Sequence, residues 1–232
     1  MEGKLYGIGV GPGNPEQLTL EAKRILEEVD IIYTPCSKPG KSSLALEIIA
    51  EVVEVEGRVE DLHFPMTNNQ AKLKKAWAKA RREIVSYLQE GKTAAFITLG
   101  DPLLYSTYIY LLEEIEEHQP QLEVETIPGV TAITGCSARL NLPLGKKEEK
   151  VAILPVGEVA EIEDVVLEFE TTVLLKVSHG FEQIRELLSK VGLKEDAYFI
   201  SRCGQPEEQI KTDLDSIKAE EVDYLSLIIV KK

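Results

Sequence analysis

The run Leu99-Gly100-Asp101-Pro102-Leu103-Leu104-Tyr105-Ser106-Thr107 puts a glycine, an acid and a proline where an apolar stretch hands over to a helical pattern. Glycine lets a backbone turn tightly or approach a ligand, and aspartate accepts hydrogen bonds from free N–H groups. Two readings of the acid stay open at this level. It can cap a helix whose first residue is Pro102, or it can meet the polar end of a ligand. Gly7-Ile8-Gly9-Val10-Gly11-Pro12-Gly13 closes the first apolar run in a similar way, and Ile127-Pro128-Gly129-Val130-Thr131-Ala132 closes a later one. The first of these is not a dinucleotide fingerprint. Counted from Gly7 and Gly9, the third glycine would stand at Pro12; counted from Gly9 and Gly11, it would stand at Asn14. What is left is bare backbone, either a tight connection or an open approach for a ligand. Ligands of open α/β sheets bind at the carboxyl ends of strands, so three such turns can converge on one site.

Other chemistry is thinly represented. His63, His118 and His179 are isolated, and no nucleophile elbow, P-loop, HExxH or paired-carboxylate motif occurs. Cys36, Cys136 and Cys203 are far apart and form no CxxC pair, so neither a metal site nor a disulfide framework is expected. With 26 basic against 40 acidic residues the formal charge is −14, which argues against a grip on nucleic acid. The acidic runs 113–117 and 158–164 read as solvated helix faces. No apolar run approaches the roughly 18 residues of a membrane helix. The start, Met1-Glu2-Gly3-Lys4, lacks a signal-peptide profile, so a cytoplasmic protein with no membrane partner is expected.

The elements that must position these turns follow from hydrophobic period. Strands are predicted over 5–10, 31–34, 93–98, 122–127, 151–154, 172–177, 197–201 and 225–230. Helices are predicted over 18–29, 43–49, 69–90, 108–117, 130–140, 159–168 and 181–191. This alternation implies an α/β fold with mostly parallel sheets. His118-Gln119-Pro120-Gln121 is the best joint, giving an N-terminal α/β domain over 1–118 and a C-terminal one over 119–232. Two such halves fit better than a (β/α)8 barrel, which needs about 250 residues.

GVGPG, GDPLLYST and PGVTA, in this order and spacing, resemble the motifs of the tetrapyrrole (corrin and porphyrin) methyltransferases. Further segments resemble the branch that methylates C-20 of precorrin-2 or cobalt-factor II. They are Tyr33-Thr34-Pro35 with Ser37-Lys38-Pro39-Gly40-Lys41-Ser42, Phe64-Pro65-Met66-Thr67, the helix around Trp77, and LGDPLLYSTYIYL. The resemblance covers essentially the whole chain. It implies two α/β domains, S-adenosylmethionine (SAM) in the trough between them, S-adenosylhomocysteine as product, a tetrapyrrole substrate and a homodimer. Carried over residue by residue, the cofactor positions are Pro12; Leu99, Gly100, Asp101 and Leu104, with Tyr105 and Ser106 beside them; and Thr131 and Ala132. Two later strand ends add Lys176 and Val177, then Arg202, Cys203 and Gly204. The branch often carries an acidic pair after the Pro-Leu that follows PGV; here Pro143-Leu144 leads into Gly145-Lys146-Lys147 instead.

Methyl transfer from a sulfonium is an in-line displacement in which the positive charge on sulfur falls. A strong anion against sulfur would favour the ground state, so a cradle of backbone groups is the better design. Asp101 is then expected to serve the cofactor's polar end or its own backbone, and no general base is singled out. A substrate with several carboxylates must meet local positive charge on this acidic chain. Lys38, Lys41, Arg139, Lys146, Lys147 and Arg202 are the basic residues near strand-end loops, with Lys38 and Lys41 the first choices. The competing readings are methylation of another tetrapyrrole carbon (of uroporphyrinogen III or a later precorrin), an RNA- or protein-modifying relative, and a SAM-binding module without catalysis.

Overall fold

Alternation along the first strand sets the layering. In β1 (Lys4–Gly9), Leu5 faces one hydrophobic cluster and Ile8 the other. A strand apolar on both faces must be covered on both. The chain is described by a computed structural model over residues 3–37, 43–67, 69–157 and 159–232. It divides into two units, Met1–Thr131 and Ala132–Lys232.

In the first unit β1 is followed by α1 (Leu20–Glu28), β2 (Ile31–Cys36), α2 (Leu44–Ala50), β3 (Arg58–His63), α3 (Gln70–Leu88), β4 (Ala94–Thr98), α4 (Tyr108–His118) and β5 (Glu123–Ile127). The sheet order is β3-β2-β4-β1-β5, with every pair parallel. Ala22, Ile25 and Leu26 of α1 and Ile48 and Ile49 of α2 pack on Ile8, Ile32 and Ile97. Trp77 and Ile84 of α3 and Tyr108 and Leu111 of α4 pack on Leu5, Tyr33 and Phe96 from the other side. Thr19 caps α1 by accepting from Ala22 N–H at 3.1 Å, and Asn69 caps α3 by accepting from Lys72 N–H at 3.1 Å. The central strand β4 is buried throughout. It lies beside β1, and β1 lies beside β5, so the three strands that end in glycine turns are neighbours with their carboxyl ends on one edge.

The second unit comprises α5 (Ala132–Leu140), β6 (Val151–Pro155), α6 (Val159–Glu168), β7 (Thr171–Leu175), α7 (Phe181–Lys190), β8 (Ala197–Ser201), β9 (Gln209–Lys211) and β10 (Ser226–Lys231). Val166, Phe181, Ile184 and Leu188 cover Leu174, Phe199 and Ile228 on one face of its sheet.

The structure corrects two expectations. The joint expected at His118–Gln121 lies inside the first unit, because β5 pairs with β1 along Lys4–Ile8. The second sheet is not mostly parallel. Its order is β6-β7-β10-β8-β9, and only β6 with β7 is a parallel pair. Helices α6 and α7 carry the chain back over the sheet, so β6, β7 and β8 share a direction. After β8 the chain turns back as its antiparallel neighbour β9, and residues 212–225, with Leu214, Ile217 and Val222 buried in the same core, then cross over without an α-helix, so β10 runs parallel to β9 and is inserted antiparallel between β7 and β8. Strands β3 and β9 were not anticipated. Both are edge strands with mostly exposed, polar residues.

Candidate cofactor site

The three glycine turns of the first unit are locked to one another by backbone. The ladder between β1 and β4 continues past the strands, with Val10 N–H donating to Thr98 O at 3.0 Å. Gly11 and Gly100 then exchange two hydrogen bonds, at 3.3 and 2.8 Å. Both take left-handed backbone, with φ of 84° and 65°, a region glycine enters without steric cost. Gly129 closes the group. A Cβ on it would stand 2.2 Å from Gly100 O, and a Cβ on Gly9 would stand 2.5 Å from the same oxygen. No side chain fits at either position.

Asp101 joins the second turn to the third. Its Oδ1 accepts from Leu103 N–H at 2.9 Å and its Oδ2 from Gly129 N–H at 3.1 Å. Pro102 and Leu103 form a turn, and α4 begins only at Tyr108, so Asp101 does not cap a helix that starts at Pro102. Ser106, just before the N-cap Thr107, satisfies the first N–H of α4: its Oγ accepts from Tyr108 N–H at 3.1 Å and donates to the Pro102 carbonyl. The Ser106 side chain is thus committed to scaffolding. Leu103 and Tyr105 are the exposed members of the segment, and Tyr105 sits at φ 53°. For a tyrosine that conformation is strained, and such strain gathers at ligand sites. Tyr108 fills the space above Gly7, whose Cβ would lie 2.1 Å from the ring. Its hydroxyl meets Thr126 Oγ1 at 2.9 Å, and burial pushes the phenol pKa up despite that contact.

The second unit carries the remaining expected residues at the carboxyl ends of β7 and β8. Lys176 and Arg202 are again left-handed, at φ 58° and 51°. Val177 is wholly buried in the second core, so only its backbone is available to a ligand. Arg202 donates from Nη2 to Asp223 Oδ2 at 2.7 Å, and its N–H donates to Leu225 O at 3.0 Å. Cys203 is buried and shares a thiol hydrogen bond with Cys136 of α5. That contact holds the Cys203 pKa down and, with burial, drives the Cys136 pKa up. Gly204, at φ 75°, donates its N–H to Glu208 Oε2 at 2.7 Å. Thr131 ends the first unit and Ala132 opens α5. Lys38 and Lys41 lie outside the described residues.

Several residues were not among the carried-over cofactor positions, although Gly9 and Gly129 lie within the motifs. Gly9 and Gly129 form the contact that holds the turns together. Gln17 beside the first turn and Gln205 beside Gly204 each carry a buried amide atom, Oε1 and Nε2, with no hydrogen-bond partner. Buried polar atoms of this kind are normally satisfied, so they suit a ligand rich in donors and acceptors. Of the basic residues considered for substrate carboxylates, Arg139 and Arg202 are already paired, with Glu208 and Asp223.

Two units of this topology with a parallel glycine-turn sheet are the fold of tetrapyrrole methylases. A cobalt precorrin-4 methyltransferase matches with a TM-score of 0.76 at 19% identity, over 98% of this chain and 94% of that one. The uroporphyrin-III C-methyltransferase of Thermus thermophilus, solved with S-adenosylhomocysteine, matches with a TM-score of 0.71 at 21% identity, over 99% and 98% of the two chains. The family model for tetrapyrrole (corrin/porphyrin) methylases matches residues 4–218, and the chain belongs to that family. Among relatives, the probable cobalt-precorrin-2 C(20)-methyltransferase of Methanocaldococcus jannaschii is 38% identical, across 99% of this chain and 96% of its own. The cobalt-precorrin-2 C(20)-methyltransferase of Salmonella typhimurium is 35% identical, across 100% and 98%.

Proposed function

We propose that this protein transfers a methyl group from SAM to C-20 of precorrin-2 in corrin-ring biosynthesis, with the cobalt form as the favoured substrate. The observation that carries the reading is the convergence of three glycine turns, tied by Asp101, in a chain of this family. The names of the relatives support this choice of substrate. Those at 38% and 35% identity are named for the cobalt form, whereas the precorrin-2 C(20)-methyltransferase of a Sinorhizobium species is 29% identical.

SAM would supply an electrophilic methyl group on a sulfonium sulfur. The cofactor residues in this reading are Pro12, Leu99, Gly100, Asp101, Leu104, Tyr105, Ser106 and Thr131 of the first unit. Ala132, Lys176, Val177, Arg202, Cys203 and Gly204 of the second unit complete the set. Most would act through backbone, because Ser106 Oγ, Val177 and both Asp101 oxygens already serve the fold. That suits a reaction in which positive charge disappears, since little negative charge is left free to hold the ground state. The turns' part is to fix the line of attack by a meso carbon of the tetrapyrrole on the methyl group. With Arg139 and Arg202 paired within the chain, Lys38 and Lys41 are the proposed partners of substrate carboxylates, and K38A/K41A should raise the substrate KM. The reading also carries a homodimer, which light scattering would test.

The deciding experiment incubates the protein with methyl-labelled SAM and either precorrin-2 or its cobalt form. Label at C-20 is expected, faster with the cobalt form. Label on another ring carbon would assign a different family activity, and SAM binding without transfer would make this a binding module.

A further inference from the structure

Glu208 belongs to none of the motifs that mark the site, yet three donors converge on its carboxylate. Oε2 accepts from Gly204 N–H at 2.7 Å. Oε1 accepts from Arg139 at 2.9 Å (Nε) and 2.6 Å (Nη2), a two-pronged ion pair with α5. Its side chain is only 11% exposed. Burial would raise its pKa, but the bonds from Arg139 and Gly204 outweigh that and hold it below the ordinary glutamate value.

We propose that Glu208 is a positioning residue for the cofactor: it holds the Arg202–Gln205 segment in a ligand-ready turn and ties that turn to α5. The proposal rests on the reading of Arg202, Cys203 and Gly204 as cofactor contacts. The turn needs a holder. Arg202 and Gly204 both take positive φ within three residues, which for arginine is a strained conformation. Backbone bonds from Gln205 N to Arg202 O and from Glu208 N to Gln205 O, each 3.0 Å, fold the segment so that the carboxylate reaches back to Gly204. The anchoring helix opens at Ala132, another proposed contact, so one carboxylate couples two cofactor segments of the same unit. Cys136, one helical turn before Arg139, meets Cys203 on the same face, so the helix and the turn touch at two points. The segment also presents the unpartnered Nε2 of Gln205. A solvated surface ion pair would show neither the burial nor the bond to backbone.

The test titrates S-adenosylhomocysteine calorimetrically into the full chain and into E208A, E208Q and R139A, with melting curves for each. E208A should bind roughly tenfold more weakly, the scale of one lost bond to a charged acceptor. E208Q should stay within about threefold of wild type, because its amide oxygen still accepts from Gly204. R139A, which like E208Q keeps the Gly204 bond but loses the anchor on α5, should weaken binding to about the same extent as E208Q. Wild-type affinity in E208A or in R139A overturns the proposal. So does equal weakening in E208A and E208Q with equal loss of melting temperature, the mark of a purely structural role. If E208A fails to fold, E208Q and R139A decide alone. Absence of binding to the wild type is a separate result, which removes the cofactor reading itself.

Discussion

The turns of the two units reach left-handed backbone by different mixes of residue, with Tyr105 the strained exception in the first unit and Gly204 the glycine in the second. In the first unit Gly11 and Gly100 supply positive φ at no steric cost, and bare backbones press together at Gly9, Gly100 and Gly129. Excluded volume dominates there, with the Asp101 carboxylate tying the second turn to the third. In the second unit Lys176 and Arg202 take the same left-handed region against their own preference. Around Arg202, charged side chains hold the shape: Arg202 with Asp223, and Glu208 with Gly204 and Arg139. The contrast separates two ways of building a strand-end turn. A glycine cradle tolerates no added atom but is indifferent to pH and salt. A side-chain clamp tolerates change in size but depends on charge.

The largest expected effect comes from filling the cradle. In G129A the new methyl carbon would stand 2.2 Å from a backbone oxygen that cannot swing aside. A cost of about 3 kcal/mol, or failure to fold, is expected in thermal or urea melts. G9A should behave similarly, with its Cβ at 2.5 Å. Near-native stability in both would mean the turns yield, and the contrast with the second unit would collapse. A smaller effect follows from Asp101. D101A frees the N–H groups of Leu103 and Gly129, at about 1–3 kcal/mol if they find no water. D101N keeps one acceptor and should lose about half as much. Affinity for S-adenosylhomocysteine should fall in the same order. Unchanged affinity in D101A would show that glycine packing alone aligns the turns.

How much of this was legible in the sequence follows the same division. The α/β class, the three turns and most helices are written in local pattern: period-two and period-3.6 runs ending in glycine. The edge strands β3 and β9 are not, because Arg58, Glu60 and Asp61, or Gln209 and Lys211, give an exposed edge no apolar signature. The direction of β10 was hidden for another reason. Strand pattern reports burial and not orientation, and the crossover from β9 to β10 holds only 3-10 turns, with no helical period to announce it. The joint was misplaced at Pro120 because a polar stretch with proline marks a loop, whereas membership of a unit is decided by pairing, here β5 with β1. In the site, Gly100 and Asp101 stood out as residue types. Glu208 did not, since an acid on an acidic chain becomes informative only once Gly204 N–H and Arg139 are seen around it.

The smallest effect is also the one that separates the two halves most cleanly. The Glu208 carboxyl titrates below its ordinary value of 4.5 in the folded chain. Folding therefore favours the ionised form. Its contribution is complete above the unfolded value and disappears as pH falls from there through the folded one. E208Q resembles the protonated residue. The melting-temperature gap between wild type and E208Q should be constant from neutral pH down to about 5 and should narrow as pH falls from the unfolded value through the lowered folded one. Its size reflects a partly screened pair, since Arg139 is 55% exposed, and should be no more than about 1 kcal/mol. The penalty of G129A, being steric, should not change over the same range. If the G129A gap moved with pH and the E208Q gap did not, the division into a packed turn and a charged clamp would be reversed.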